Sequence, residues 1–180
     1  MRISILGPLE VEGDGGPVAV GGFRLRALLA VLALEAGRTV TAERLIDALW
    51  PDEPPANAAN ALQTLVKRLR MALRPYEVVE SRPGGYALIV EPDDVDALRF
   101  RRTARHGEGL ELWRGPALAD LTSVPLLANA AAALEQERLA AVETRAEARL
   151  ETGAPVDLTA EVVAHPLRER LAALAMRALA

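Results

Sequence analysis

No cysteine occurs among the 180 residues, which excludes disulfides and thiolate metal sites and fits a reducing, cytoplasmic compartment. Aromatic residues make up only 3% of a chain that is 51% hydrophobic, so a core must be built from Leu, Ala and Val, and that composition favours helix. Lys67 is the sole lysine; every other basic side chain of the Lys/Arg class is arginine. No window approaches the ~20 apolar residues of a membrane span. The N-terminus MRISILGPLEVEG has no long apolar run, so no signal peptide is expected. Walker and dinucleotide glycine motifs are missing, and Gly13-Asp14-Gly15-Gly16 reads as a turn. His106 and His165 are solitary, with no carboxylate at metal-ligand spacing. No nucleophile–base pair or metal cluster emerges, so the expectation is a non-enzyme with no cofactor and no metal.

The net charge of −4 counts against a general nucleic-acid binder, but its distribution is uneven. Between Pro54 and Tyr76 there is no acidic residue, while Lys67, Arg68, Arg70 and Arg74 all fall there. The acids collect at Asp52-Glu53 and in the second half of the chain.

The order of elements gives that basic segment a context. Residues Arg2 to Val20 alternate and break at glycines, which predicts a small N-terminal antiparallel sheet. Phe23 to Ala36 is apolar almost all round, as in a buried helix, with Gly37 as its terminator. Arg38 to Val40 suits one short strand. Thr41 can cap a second helix that carries Leu45, Ile46 and Leu49 and closes at Trp50; Arg44 stands where a full capping box has Glu. Pro51, Pro54 and Pro55 forbid its continuation. From Asn57 to Leu73 a third helix gathers Leu62, Leu65, Val66, Leu69 and Leu73 on one face. Its opposite face presents Asn57, Asn60, Gln63, Thr64, Lys67, Arg68 and Met71, with Arg70 and Arg74 on the flanks. Glu77 to Val90 follows as a hairpin whose Pro83-Gly84-Gly85 turn supplies positive-φ positions. Two short helices around a proline break and then a hairpin are the pattern of a winged helix-turn-helix.

A helix that reads the major groove needs long polar donors opposite an apolar anchor. Asn57, Asn60, Gln63, Thr64, Lys67 and Arg68 suit base edges, and Arg70 and Arg74 suit phosphates. Arg82 at the hairpin turn suits a narrow minor groove. The plain alternatives are a solvated amphipathic face and an ordinary hairpin; the surrounding element order favours the DNA-binding reading over both. The turn Pro51-Asp52-Glu53-Pro54-Pro55 is a stiff acidic loop, or a protein contact made by Trp50, Asp52 and Glu53.

After Glu91 the composition turns helical, and a boundary near Pro92 divides residues 1–92 from 93–180. Long helices are expected from Leu126 to Glu151 and from Val156 to Ala180. Trp113-Arg114-Gly115-Pro116 reads as a core tryptophan before a Gly-Pro stop. Glu135, Glu137, Glu143, Glu147 and Glu151 interleave with Arg138, Arg145 and Arg149, which suggests a solvated face with i,i+4 pairs. His165 precedes Pro166 at an expected helix start.

The segments RISILGPLEV, RLRALLAVLAL, VTAERLIDALWPDEPPANAANALQTLVKRLRMAL, ESRPGGYAL, LELWRGPALADL, LEQERLAAVETRAEARLETG and HPLRERL together resemble the SARP family of actinobacterial regulators. The likeness covers nearly the whole chain. It implies an α+β OmpR-type winged helix with a small N-terminal antiparallel sheet, then an all-α, tetratricopeptide-like bacterial transcriptional activator domain. It implies that Asn57 to Leu73 is the recognition helix, that Glu77 to Val90 is the wing, and that the turn from Trp50 to Pro55 meets RNA polymerase. It further implies binding to tandem direct repeats of double-stranded DNA, self-association there, and activation of an antibiotic-type biosynthetic gene cluster. Relative to that pattern the stretch from Phe100 to Leu112 and the segment Gly153 to Ala164 are short, and the chain stops within the helical array, so a shortened activator domain is expected. The competing reading is a protein-interaction scaffold, or a protein that occupies DNA without full activation.

Overall fold

The computed structural model describes residues 1–151. The helix expected from Val156 to Ala180, and His165 within it, lie outside the described residues.

Two small antiparallel sheets flank a helical core. β1 (Arg2–Ser4), β2 (Glu10–Gly13) and β3 (Gly16–Pro17) form a meander in the order β1-β2-β3. Its alternation buries Ile3 against Val11 in register and turns Arg2 and Glu12 outward, where they pair at 3.0 Å. α1 (Phe23–Leu34) follows; Leu25 and every residue from Ala27 to Ala33 are buried, as its apolar circumference requires. β4 (Val40–Thr41) leads into α2 (Ala42–Leu49), where the Thr41 hydroxyl oxygen accepts the Arg44 N–H at 3.2 Å and caps the helix.

α3 (Ala58–Ala72) packs on α1 and α2 through Leu62, Leu65, Val66 and Leu69, with Leu73 closing its end. β5 (Val79–Arg82) and β6 (Gly85–Leu88) make the hairpin, and β6 also pairs with β4, so the second sheet runs β4-β6-β5. The positive-φ positions expected of the Pro83-Gly84-Gly85 turn reduce to one. Only Gly84, at φ 78, occupies the left-handed region. Gly85 already pairs with Arg82 and Thr41 as a strand residue.

The second half contributes α4 (Asp96–Thr103), two 3-10 turns at Ala104–His106 and Leu110–Leu112, and α5 (Pro125–Glu151). The short stretch after Phe100 therefore folds as turns. Trp113 meets the buried Phe100 edge-on, with centroids 5.4 Å apart, and Arg138 lies 4.8 Å from the Trp113 ring. For Glu135, Glu137 and Arg138 the i,i+4 pairing expected along α5 gives way to other partners. Glu137 pairs with Arg101 of α4 at 2.9 Å, and Glu135 accepts the Ala117 N–H at 3.1 Å while facing Arg138 at i,i+3. These side chains serve neighbouring elements because α5 packs against them.

The residues just past position 92 clasp the first sheet. Ile3 bridges Val95 in parallel, and both Asp96 carboxylate oxygens accept N–H groups, from Ile5 at 2.7 Å and Leu6 at 3.0 Å. The Arg114 N–H donates to Leu6 O at 2.8 Å, and its guanidinium reaches Pro8 O and Glu10. The Leu118 N–H donates to Ile5 O at 3.0 Å. Leu118 sits at φ 52, which costs an L residue about 1–2 kcal/mol, yet its side chain is fully buried and its N–H is engaged, which holds it there. Asp120 accepts the Leu9 N–H at 2.9 Å and pairs with Arg26 of α1. One continuous apolar cluster runs from Ile3 through α1 and α3 to Ala146.

Burial alone would push the Asp120 carboxyl up, but the bonds from Arg26 and Leu9 outweigh it and hold the group below the ordinary carboxylate range. A depressed folded value means that Asp120 stabilises the fold above the unfolded value of about 3.9 and loses that contribution as pH falls through the folded one. Asp120→Asn is therefore expected to lower the urea midpoint at pH 7, with the gap from the parent narrowing below pH 4. A gap that stays constant down to pH 2 would remove the ion pair from the account of acid stability.

Candidate nucleic-acid interface

The helix-turn-helix places one face of α3 in solvent. Asn60, Gln63, Thr64, Lys67, Arg68 and Arg74 are all exposed, as the periodicity requires. Among the described residues, Lys67, Arg68 and Arg74 have no ion-pair partner, so their charge is not neutralised locally.

Four of the expected contact residues also bond within the protein. Asn57 is the N-cap: its side-chain oxygen accepts the Asn60 N–H at 3.0 Å. The Thr64 hydroxyl donates to Asn60 O at 2.9 Å while the residue stays exposed. Arg70 donates from Nε to Val79 O at 2.8 Å and from its guanidinium to Ser81 Oγ at 2.9 Å, so it ties α3 to strand β5. Arg82 ends β5 beside the Pro83-Gly84 turn and pairs with Glu80 at 2.6 Å, with both side chains about half exposed. That pair lowers the net positive charge at the wing tip.

A groove of about 660 Å³ between the end of α3 and the wing is lined by Arg70, Arg74, Tyr76, Val79 and Glu80, among others. The Tyr76 hydroxyl oxygen accepts the Asp14 N–H at 2.6 Å and joins this edge to the β2–β3 turn. No sequence signal marks that contact, which spans 62 positions.

The proline turn is solvent-facing. Pro51, Asp52, Glu53 and Pro54 are exposed, and neither acid has an ion-pair partner among the described residues. Trp50 is half-buried, with the Arg24 guanidinium 5.8 Å from its ring. Arg24 was absent from the sequence-based set because a 26-residue separation hides the stacking. The exposed His106 accepts from Arg105 Nε at 3.0 Å, and no described group of His, Asp or Glu has the arrangement of a metal site.

A helix-turn-helix backed by an antiparallel wing, with an acid-free cationic outer face on its second helix, defines a winged-helix transcriptional regulator. Two family models agree with this class. Residues 23–88 match the C-terminal domain of transcriptional regulatory proteins, and residues 95–180 match the bacterial transcriptional activator domain. The regulatory protein DnrI of Streptomyces peucetius is 32% identical over 99% of this chain and 77% of its own length. The transcriptional regulator RedD of Streptomyces coelicolor is 36% identical over 98% of this chain, which spans 58% of RedD. The regulatory protein AfsR of the same organism is 39% identical, and the chain spans 20% of it. The solved structure of Mycobacterium tuberculosis EmbR in complex with a low affinity phosphopeptide superposes with a TM-score of 0.78 at 30% identity, covering 94% of this chain and 50% of that one. The chain belongs to the SARP family of transcriptional regulators. Among the described residues no helix is long and apolar enough to cross a membrane.

Proposed function

We propose that this protein regulates transcription by laying α3 in the major groove of operator DNA, with Asn60, Gln63, Thr64, Lys67 and Arg68 toward base edges and Arg74 and Arg82 toward phosphates. Asn57 and Arg70 support the interface by capping the helix and holding the wing. The observation that carries this reading is the unneutralised cationic face of α3, fixed against a wing by Arg70. Residues 1–92 are the DNA-reading part and residues 93–180 the activating part; the family matches, ending at 88 and resuming at 95, support that division.

The finer features follow from the same reading. Tandem direct repeats suit head-to-tail copies about one helical turn apart on one face of DNA, with self-association of neighbours. The exposed acidic turn at Asp52 and Glu53, beside Trp50, offers RNA polymerase a contact away from the phosphates. Activation of a biosynthetic gene cluster, in the cytoplasm and on the nucleoid, accords with the regulators it resembles.

Selection from a random duplex library at two salt concentrations, followed by sequencing, tests the proposal. An enriched direct repeat whose binding weakens steeply with salt supports it. Salt-erased binding with no enriched motif favours the protein-interaction reading instead. Arg68→Ala is expected to lower specific affinity by about 1–3 kcal/mol and relax preference at one base pair. A reduced salt slope with unchanged preference would reassign Arg68 to a phosphate.

A further inference from the structure

We propose that Met71 is a specificity residue that reads the C5 methyl group of a thymine; this rests on the reading that α3 enters the major groove. Among the described residues, two large hydrophobic side chains stay exposed, and Met71 is the more exposed at 59%. Its neighbours Leu69 and Leu73 are fully buried, so the helix has core positions available and Met71 is not one of them. At about 100° per residue it projects between Asn60 and Thr64, about 20° from each, and about 40° from Lys67. It stands roughly one helical turn, about 6 Å, beyond Lys67 along the axis. Met71 therefore occupies the centre line of the polar face, flanked by groups that suit base edges.

An apolar side chain at that position gains nothing from phosphates and gains from contact only if water leaves both surfaces. Within the major groove the apolar group available is the thymine methyl. The side chain of methionine, unbranched and polarizable, adapts to such a small target. The span from Asn60 to Met71 is about 16 Å, slightly more than the groove width of about 12 Å, so a helix crossing the groove obliquely keeps both ends near base edges.

The test uses duplexes enriched from the random library, with each thymine replaced singly by deoxyuridine, which removes only the methyl. Affinities for the parent protein and Met71→Ala are measured by fluorescence anisotropy at one salt concentration. At one thymine per half-site, methyl removal is expected to weaken the parent about fourfold, the factor that burying one methyl corresponds to, and to leave Met71→Ala unchanged. Met71→Leu, similar in volume and apolar, is expected to retain the thymine preference. The salt slope is expected to stay the same in both variants. The proposal is overturned if no deoxyuridine position weakens the parent, or if every position that does weakens Met71→Ala equally. An enriched motif without a coupled thymine sinks this inference and leaves DNA reading intact; no enriched motif at all sinks both.

Discussion

Gly85→Ala is expected to destabilise the protein by about 3 kcal/mol or more, at the upper end of overpacking penalties. An added Cβ would lie 2.0 Å from the Val40 carbonyl oxygen and 2.9 Å from Thr41 Cα. Both are backbone atoms, so no side-chain rotation relieves the contact. The β4–β6 pairs, Val40 with Tyr86 and Thr41 with Gly85, must open. Because β4 leads directly into capped α2, the wing would shift relative to the helix-turn-helix, and DNA affinity should fall with stability. Gly84→Ala is the internal comparison. Its Cβ meets nothing within 4 Å, but its φ of 78 imposes left-handed strain of about 1 kcal/mol. Urea unfolding of the two variants reads the difference directly. Equal losses would mean that turn conformation, and not the close approach of β4, governs this hairpin.

Asp96→Ala is expected to cost about 3 kcal/mol at pH 7. It strips acceptors from the Ile5 and Leu6 N–H groups, both in fully buried residues, and an unsatisfied buried donor costs about 1–3 kcal/mol. Burial raises the Asp96 carboxyl above its ordinary value, against the lowering effects of the Ile5, Leu6 and Ala97 amides and of Arg114. A raised folded value means that the protonation-linked stability is full below about pH 4 and declines as pH rises through the folded value. Removing the side chain still costs more than its charge does, because two donors are orphaned. Hydrogen exchange checks this at residue level: the Ile5 and Leu6 amides should lose protection first in Asp96→Ala, and less in Asp96→Asn, which keeps one acceptor. Unchanged protection at both amides would mean the clasp does not hold the first sheet.

Asp96, Arg114, Leu118 and Asp120 all lie in the helical half, yet they bind the N-terminal strand region and, through Arg26, the first helix beneath α3. Together these contacts hold residues 95–120 against the β1–β2 connection and α1.

The parts legible in the chain were those whose signal is local. The stripe of Leu62, Leu65, Val66, Leu69 and Leu73 fell on the buried face because a 3.6-residue period is a property of one helix. Thr41 as a cap needed only its position ahead of an apolar run. The contacts of Arg70 were not legible by the same logic: its angle on the helix suits a phosphate, and only the returning hairpin offers Val79 O and Ser81 Oγ to its guanidinium. Asn57 suited a base edge by angle, while its place at the helix start gave its oxygen to the Asn60 amide.

By itself, then, the sequence determined the order of elements, the buried and exposed faces of α1, α2 and α3, and the acid-free cationic surface from Asn60 to Arg74. Tertiary structure alone decided that β4 joins β6, that Arg70 holds the wing, and that Asp96 and Asp120 clasp the β1–β2 connection some 90 to 111 positions away. Amphipathic periodicity is written by neighbours three and four residues apart, whereas a buried carboxylate finds its donors only after chain closure has brought distant backbone to it, and no spacing rule encodes which amides those will be.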